Sequence, residues 1–187
     1  MDVLDFPDAD AWSSWLDKHS GDHAEAWLRI AKKDKGLETI GISDALDVAL
    51  CHGWIDGQRK GNDDVSFLQR YCPRRSTSSW SQVNVAKAEA LIEAGRMRPG
   101  GFAEIEAAKA DGRWDAAYEP QSTAEPPPDL IAALDGDAGA KAAFQALSRT
   151  DRYLIILQVL KARTPESRAK ILAREVERLG GGQGLQG

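Results

Sequence analysis

The residue types with the most chemistry in this chain lie between Leu50 and Ser81. The run Leu50-Cys51-His52-Gly53-Trp54-Ile55-Asp56-Gly57 holds a thiol, an imidazole and a carboxylate, and Gln69-Arg70-Tyr71-Cys72-Pro73-Arg74-Arg75 adds three guanidinium groups ahead of Ser79-Trp80-Ser81. From Val65 to Ala88 there are four basic residues (Arg70, Arg74, Arg75 and Lys87) and no acid, in a chain of net charge −5. That local reversal of sign suits an anion. Arginine presents forked donors that match carboxylate and phosphate geometry, and a helix opening at Ser79 would add unpaired amides and a partial positive charge. Trp54 and Trp80 would supply an apolar wall or a stacking face. The expected ligand site therefore comprises Trp54, Asp56, Arg59, Arg70, Arg74, Arg75, Ser79, Trp80 and Asn84.

A duller arrangement uses the same residues. Arg59, Arg70 and Arg74 would pair with Asp56, Asp63, Asp64 or N-terminal acids and fasten a hairpin to a helix. Asp56 decides between the two: with an arginine partner it is structural, and facing an open cleft it belongs to a site.

Other chemistries have less behind them. Cys51, His52 and Asp56 carry the types of a thiol nucleophile, a base and an orienting carboxylate. Neighbours on a helix point about 100° apart, so Cys51 and His52 should not meet, and a buried thiol is expected. His19 and His23 have the i, i+4 spacing of metal-binding helices, but Ser20-Gly21 interrupts the helix between them. No metal and no cofactor are expected. The balance favours binding over catalysis. The alternative is an enzyme for a small anionic substrate, with Asp56 or His52 as base and the arginines positioning it. Nucleic-acid binding ranks lowest, because residues 1–51 hold eleven acids against five bases.

The elements that must position these residues can be read from caps and periodicity. Asp8 caps a helix to about Lys18, with Trp12, Trp15, Leu16 and His19 on one face. Ala24–Lys32 alternates as a strand half exposed to water. Ser43 caps a short helix carrying Leu46, Val48 and Leu50. Trp54–Lys60 and Val65–Cys72 form a hairpin through Gly61-Asn62-Asp63-Asp64, and Pro73 stops it. Ser79 and Gln82 have capping-box spacing for a helix ending at Gly95. Another helix begins near Pro99, with Phe102 and Ile105 inward. After the proline-dense stretch Glu119–Pro128 come four helices, opening at Asp129, Asp137, Ser148 and Thr164-Pro165.

The expected fold class is α+β: a small antiparallel sheet of about three strands wrapped by helices, followed by an all-helical C-terminal unit. The expected domains are an α+β core (1–118), a Pro-rich linker (119–128), a helical unit (129–180) and a disordered tail (181–187). At 187 residues, 42% hydrophobic and 28% charged, the composition is that of a globular protein. No run is apolar enough for a transmembrane segment, and the acidic N-terminus is unlike a secretory signal, so a cytoplasmic location with two reduced thiols is expected.

The run ALDVALCHGWIDG, the RYCPRR segment, SSWSQVN, and the GRM…G…GRW pattern at Gly95–Met97, Gly101 and Gly112–Trp114 resemble the YdeI/OmpD-associated family. The block from PPDLIAAL through FQALS to TPESRAKI resembles that family's bacteriocin-protection domain. The resemblance implies a role in bacteriocin protection, porin association or stress resistance; taken with the arginine-rich site, the expected function is a non-catalytic protein that binds an anionic small molecule or protein segment.

Overall fold

The computed structural model describes residues 2–181; the expected disordered tail lies, beyond Gly181, outside the described residues. The chain divides into two compact units, residues 1–117 and 118–187.

The first unit runs β1 (Val3–Leu4), α1 (Ala9–His19), β2 (Ala26–Ala31), α2 (Ile42–Cys51), β3 (Trp54–Gly61), β4 (Ser66–Pro73), α3 (Gln82–Glu93) and α4 (Pro99–Ala110). Its sheet has the order β1-β2-β4-β3. The hairpin β3–β4 and the pair β2–β4 are antiparallel, as the sequence indicates, and the short β1 adds a fourth strand parallel to β2. Asp63 organises the hairpin turn. Its carboxylate accepts from the Ser66 hydroxyl, the amides of Val65 and Ser66, and the Arg29 guanidinium. Those donors, Ser66 foremost, hold its pKa down at about 2.

One face of the sheet is buried by helices. Asp8 accepts from the Ala11 amide and starts α1 where the sequence places it, so that Trp12 and Leu16 point inward. They pack with Ala26, Leu28 and Ile30 of β2, Val48 and Ala49 of α2, Trp54 and Tyr71. A second cluster gathers Leu50, Cys51, Trp80, Leu91, Met97 and Ile105.

Several local expectations are corrected. β2 is not half exposed: Trp27, on the face turned away from the helices, is 4% accessible. The Lys60 ammonium lies 4.3 Å from its ring centroid and its indole N–H donates to Glu25, so polar side chains from β3 and from the approach to β2 cover it. Gly41, not Ser43, is the N-cap of α2. α3 starts two residues later than the sequence indicates, with the Ser81 hydroxyl accepting from the Asn84 amide. Starting there lets Trp80 enter the core, where its ring packs on Trp114 at 4.8 Å. Phe102 is exposed, whereas Ile105 is inward as expected.

The second unit contains α5 (Pro128–Asp135), α6 (Ala138–Ala146), α7 (Arg149–Leu160) and α8 (Pro165–Gly180). Asp137, Ser148 and Thr164 each accept from an amide of the first turn, and Thr164 forms a reciprocal capping box with Ser167. Leu130, Leu134, Phe144, Ile155, Val159 and Leu179 make its core. The proline-dense segment is tied to α7, since Tyr153 donates to the Glu119 carbonyl and Arg149 to that of Ser122. Among the described residues, no helix is long and apolar enough to cross a membrane.

Candidate functional site

The nine residues expected to form an anion site are distributed over several environments. Trp54 is in the core, edge-on to Trp12. Arg70 is committed to Glu25 at 2.5 Å. Arg59 lies over the Phe67 ring and donates to Gln69. Asp56 is exposed on β3 and pairs with neither arginine. Arg75 is exposed, with its amide donating to the Ser78 hydroxyl. Arg74, Ser79 and Trp80 do come together: the Arg74 guanidinium sits 3.7 Å from the Trp80 centroid and donates to the Ser79 carbonyl.

That contact runs opposite to anion binding. Arg113, 5% accessible, donates in turn to the Ser78 carbonyl. Two buried arginines thus meet carbonyls of the segment before α3. The amide of Asn84, inside the first turn, is already taken by Ser81.

A different concavity in the first unit has free space and charge. Its existence depends on glycines. Gly53 terminates α2 at φ +76, and a Cβ there would stand 2.6 Å from the Gly100 carbonyl oxygen. A Cβ on Gly101 would stand 2.4 Å from the Cys51 carbonyl oxygen. Only glycine allows the end of α2 and the start of α4 to touch backbone to backbone. The contact is fastened by the Arg98 amide donating to the Cys51 carbonyl. The connection Gly95–Arg98 is thereby held against α2, opposite the first turns of α1.

Between them lies a cleft of about 340 Å³. Asp10 and Ser13 line it from α1, Val48 and Cys51 from α2, and Arg96, Met97 and Arg98 from the connection. Both arginines are exposed, and both lower the pKa of the Cys51 thiol against the dominant effect of burial, which raises it. Asp47 adds to the effect of burial, so the thiol stays protonated although the two arginines oppose the shift.

His52 stands at the C-cap of α2, its side chain 5% accessible. Ser13 Oγ is 2.9 Å from its Nε2, and Asp17 Oδ1 is 3.7 Å from its Nδ1. Burial lowers the His52 pKa from its ordinary value near 6.5; Asp17 works against that shift and Arg98 adds to it. The imidazole is therefore neutral at neutral pH. With the Asp17 carboxylate facing Nδ1, the favoured tautomer carries its proton there and leaves Nε2 to accept from Ser13. As adjacency on the helix demanded, His52 takes its partners from α1 and not from Cys51.

Ser13, Asp17 and Arg98 belong to none of the motifs read in the sequence, and Arg96 enters only as the middle of the Gly95–Met97 run. Ser13 and Asp17 have i, i+4 spacing on α1, beside the core stripe of Trp12 and Leu16, and that was a usable signal. Nothing in the sequence brings residues 96–98 to them. The glycine pattern Gly95, Gly100, Gly101 marks a close approach but does not name its partner. Among the described residues, no group of three or more His, Cys, Asp or Glu side chains could hold a metal ion.

Two family models match the chain. Residues 4–104 match a domain of unknown function (DUF8412). Residues 123–182, the second unit, match the family described as bacteriocin-protection, YdeI or OmpD-associated. No curated protein and no solved structure matches it.

Proposed function

We propose that this chain, which belongs to the DUF8412 family and carries a bacteriocin-protection, YdeI or OmpD-associated unit, is a binding protein for a small anionic molecule. The ligand occupies the cleft of the first unit. One observation carries this reading: Arg96 and Arg98 line a polar concavity together with the Ser13 hydroxyl, and their field reaches the thiol at its floor. Two guanidinium groups supply charge-assisted donors to a carboxylate or phosphate. Asp10 on the opposite wall favours a ligand that also presents a donor or a cationic group. The protective role implied by the family of the second unit would then be exercised through a bound metabolite or through a partner bearing such a group.

The test is thermal stability against inorganic phosphate, dicarboxylates, amino acids and nucleotides. A ligand that binds only the native state raises the melting temperature by mass action. The expected result is a ligand-specific rise that disappears in an Arg96→Ala/Arg98→Ala variant and persists in Arg75→Ala. A rise undiminished in the double variant would place the ligand elsewhere.

A further inference from the structure

We infer that Ser13, His52 and Asp17 form a hydrolytic group on the wall of this cleft, acting on an ester whose acyl part carries a carboxylate or phosphate. The inference rests on the anion-binding reading of the same cleft and goes beyond it by giving the ligand a reacting bond.

The geometry is that of an activated hydroxyl. The Ser13 side chain lines the cleft and meets His52 Nε2 at 2.9 Å, within the range for proton transfer. Asp17, one turn beyond Ser13 on α1, faces Nδ1 from the other edge of the ring at 3.7 Å. At that distance the carboxylate makes no hydrogen bond to the ring, but its charge stabilises the imidazole once protonated. The charged groups facing His52 are Asp17 and Arg98, and Arg98 approaches Asp17 Oδ2 at 4.0 Å. A base that is neutral at neutral pH and withdrawn behind an accessible hydroxyl is what proton abstraction requires. A purely structural tie between α1 and α2 would not require Ser13 to line a cleft with two arginines.

The chemistry balances with water as the only co-reactant. Ser13 Oγ attacks the carbonyl carbon while its proton passes to His52 Nε2. The ester C–O bond then breaks, and the leaving alkoxide takes that proton and departs as an alcohol. Water attacks the acyl-serine with His52 again as base. The acid leaves, and Ser13 Oγ recovers its proton. Arg96 and Arg98 hold the anionic group of the acyl part and so set which ester enters.

The full chain would be treated with a fluorophosphonate probe and analysed by peptide mass spectrometry, alongside turnover of the p-nitrophenyl monoester of succinate. The expected result is an adduct on Ser13 whose rate rises with pH as His52 loses its proton. Ser13→Ala should abolish both adduct and turnover, and His52→Gln should slow both by at least about 100-fold while remaining folded. No adduct on Ser13, or a labelling rate unchanged in folded His52→Gln, would overturn the inference. Succinate binding to Ser13→Ala, followed by thermal shift, is judged separately. Binding there with no labelling of wild type would overturn the hydrolytic role and leave the anion cleft standing.

Discussion

The Arg74 guanidinium lies 3.7 Å from the centroid of the Trp80 ring, and both side chains are buried. The neighbouring Arg75 is exposed. Two adjacent arginines that read alike in the sequence therefore have separate jobs. Replacing Arg74 with Ala removes a desolvated cation–π contact and the packing of its aliphatic stem. The expected loss is about 2 kcal/mol of unfolding free energy. Arg75→Ala should stay within about 0.5 kcal/mol of wild type. Urea denaturation of the two variants checks the contrast.

Gly53 and Gly95 both have positive φ, but only Gly53 is also crowded. Gly95→Ala should cost about 1 kcal/mol, the penalty of left-handed backbone for a residue with a Cβ. Gly53→Ala adds a clash with the Gly100 carbonyl and should cost about 2 kcal/mol more. Because that clash lies at the junction forming the cleft, Gly53→Ala should also weaken ligand binding, read as a smaller thermal shift with phosphate or succinate.

Burial of His52 makes stability depend on pH in a definite direction. Its folded pKa is below the unfolded value of about 6.5, so the unfolded chain binds the proton more readily. The contribution is fully present above about pH 6.5 and is lost as pH falls through the depressed folded pKa. The unfolding free energy of wild type should therefore fall more steeply below about pH 6.5 than that of His52→Gln. Parallel curves would contradict the assignment.

Asp63 predicts a second, more acidic window. Its pKa is held at about 2, below the ordinary carboxylate value of 3.8, so its contribution is present above that value and lost as pH falls to about 2. Acid unfolding followed by circular dichroism should lose this component in Asp63→Asn, which keeps the shape but not the charge that gathers Val65, Ser66 and Arg29.

Much of this architecture is legible in the sequence because local chemistry determines it. Asp8, Asp137, Ser148 and Thr164 cap the helices they are expected to cap, and the turn around Asp63 makes the expected hairpin. The failures have tertiary causes. Ser79 has capping-box spacing with Gln82, but Ser81 is the cap, and the later start goes with the burial of Trp80 against Trp114. Trp27 reads as exposed by alternation, and Lys60, reaching from β3, is what covers it. For the arginine-rich run the sequence offers both a ligand and acidic partners, and Arg70 takes an N-terminal acid, Glu25, as the second reading has it. The cleft is the least legible feature. It joins Ser13 to residues 96–98 through a glycine contact that no local pattern records.

The most direct test of the anion cleft is titration calorimetry of the full chain with succinate and with inorganic phosphate, at low and high salt. The account predicts saturable binding of at least one of them, weaker at high salt and reduced at least about tenfold in Arg96→Ala/Arg98→Ala. Arg75→Ala should bind as wild type does. No binding of either anion, or equal binding by the double variant, would contradict the account.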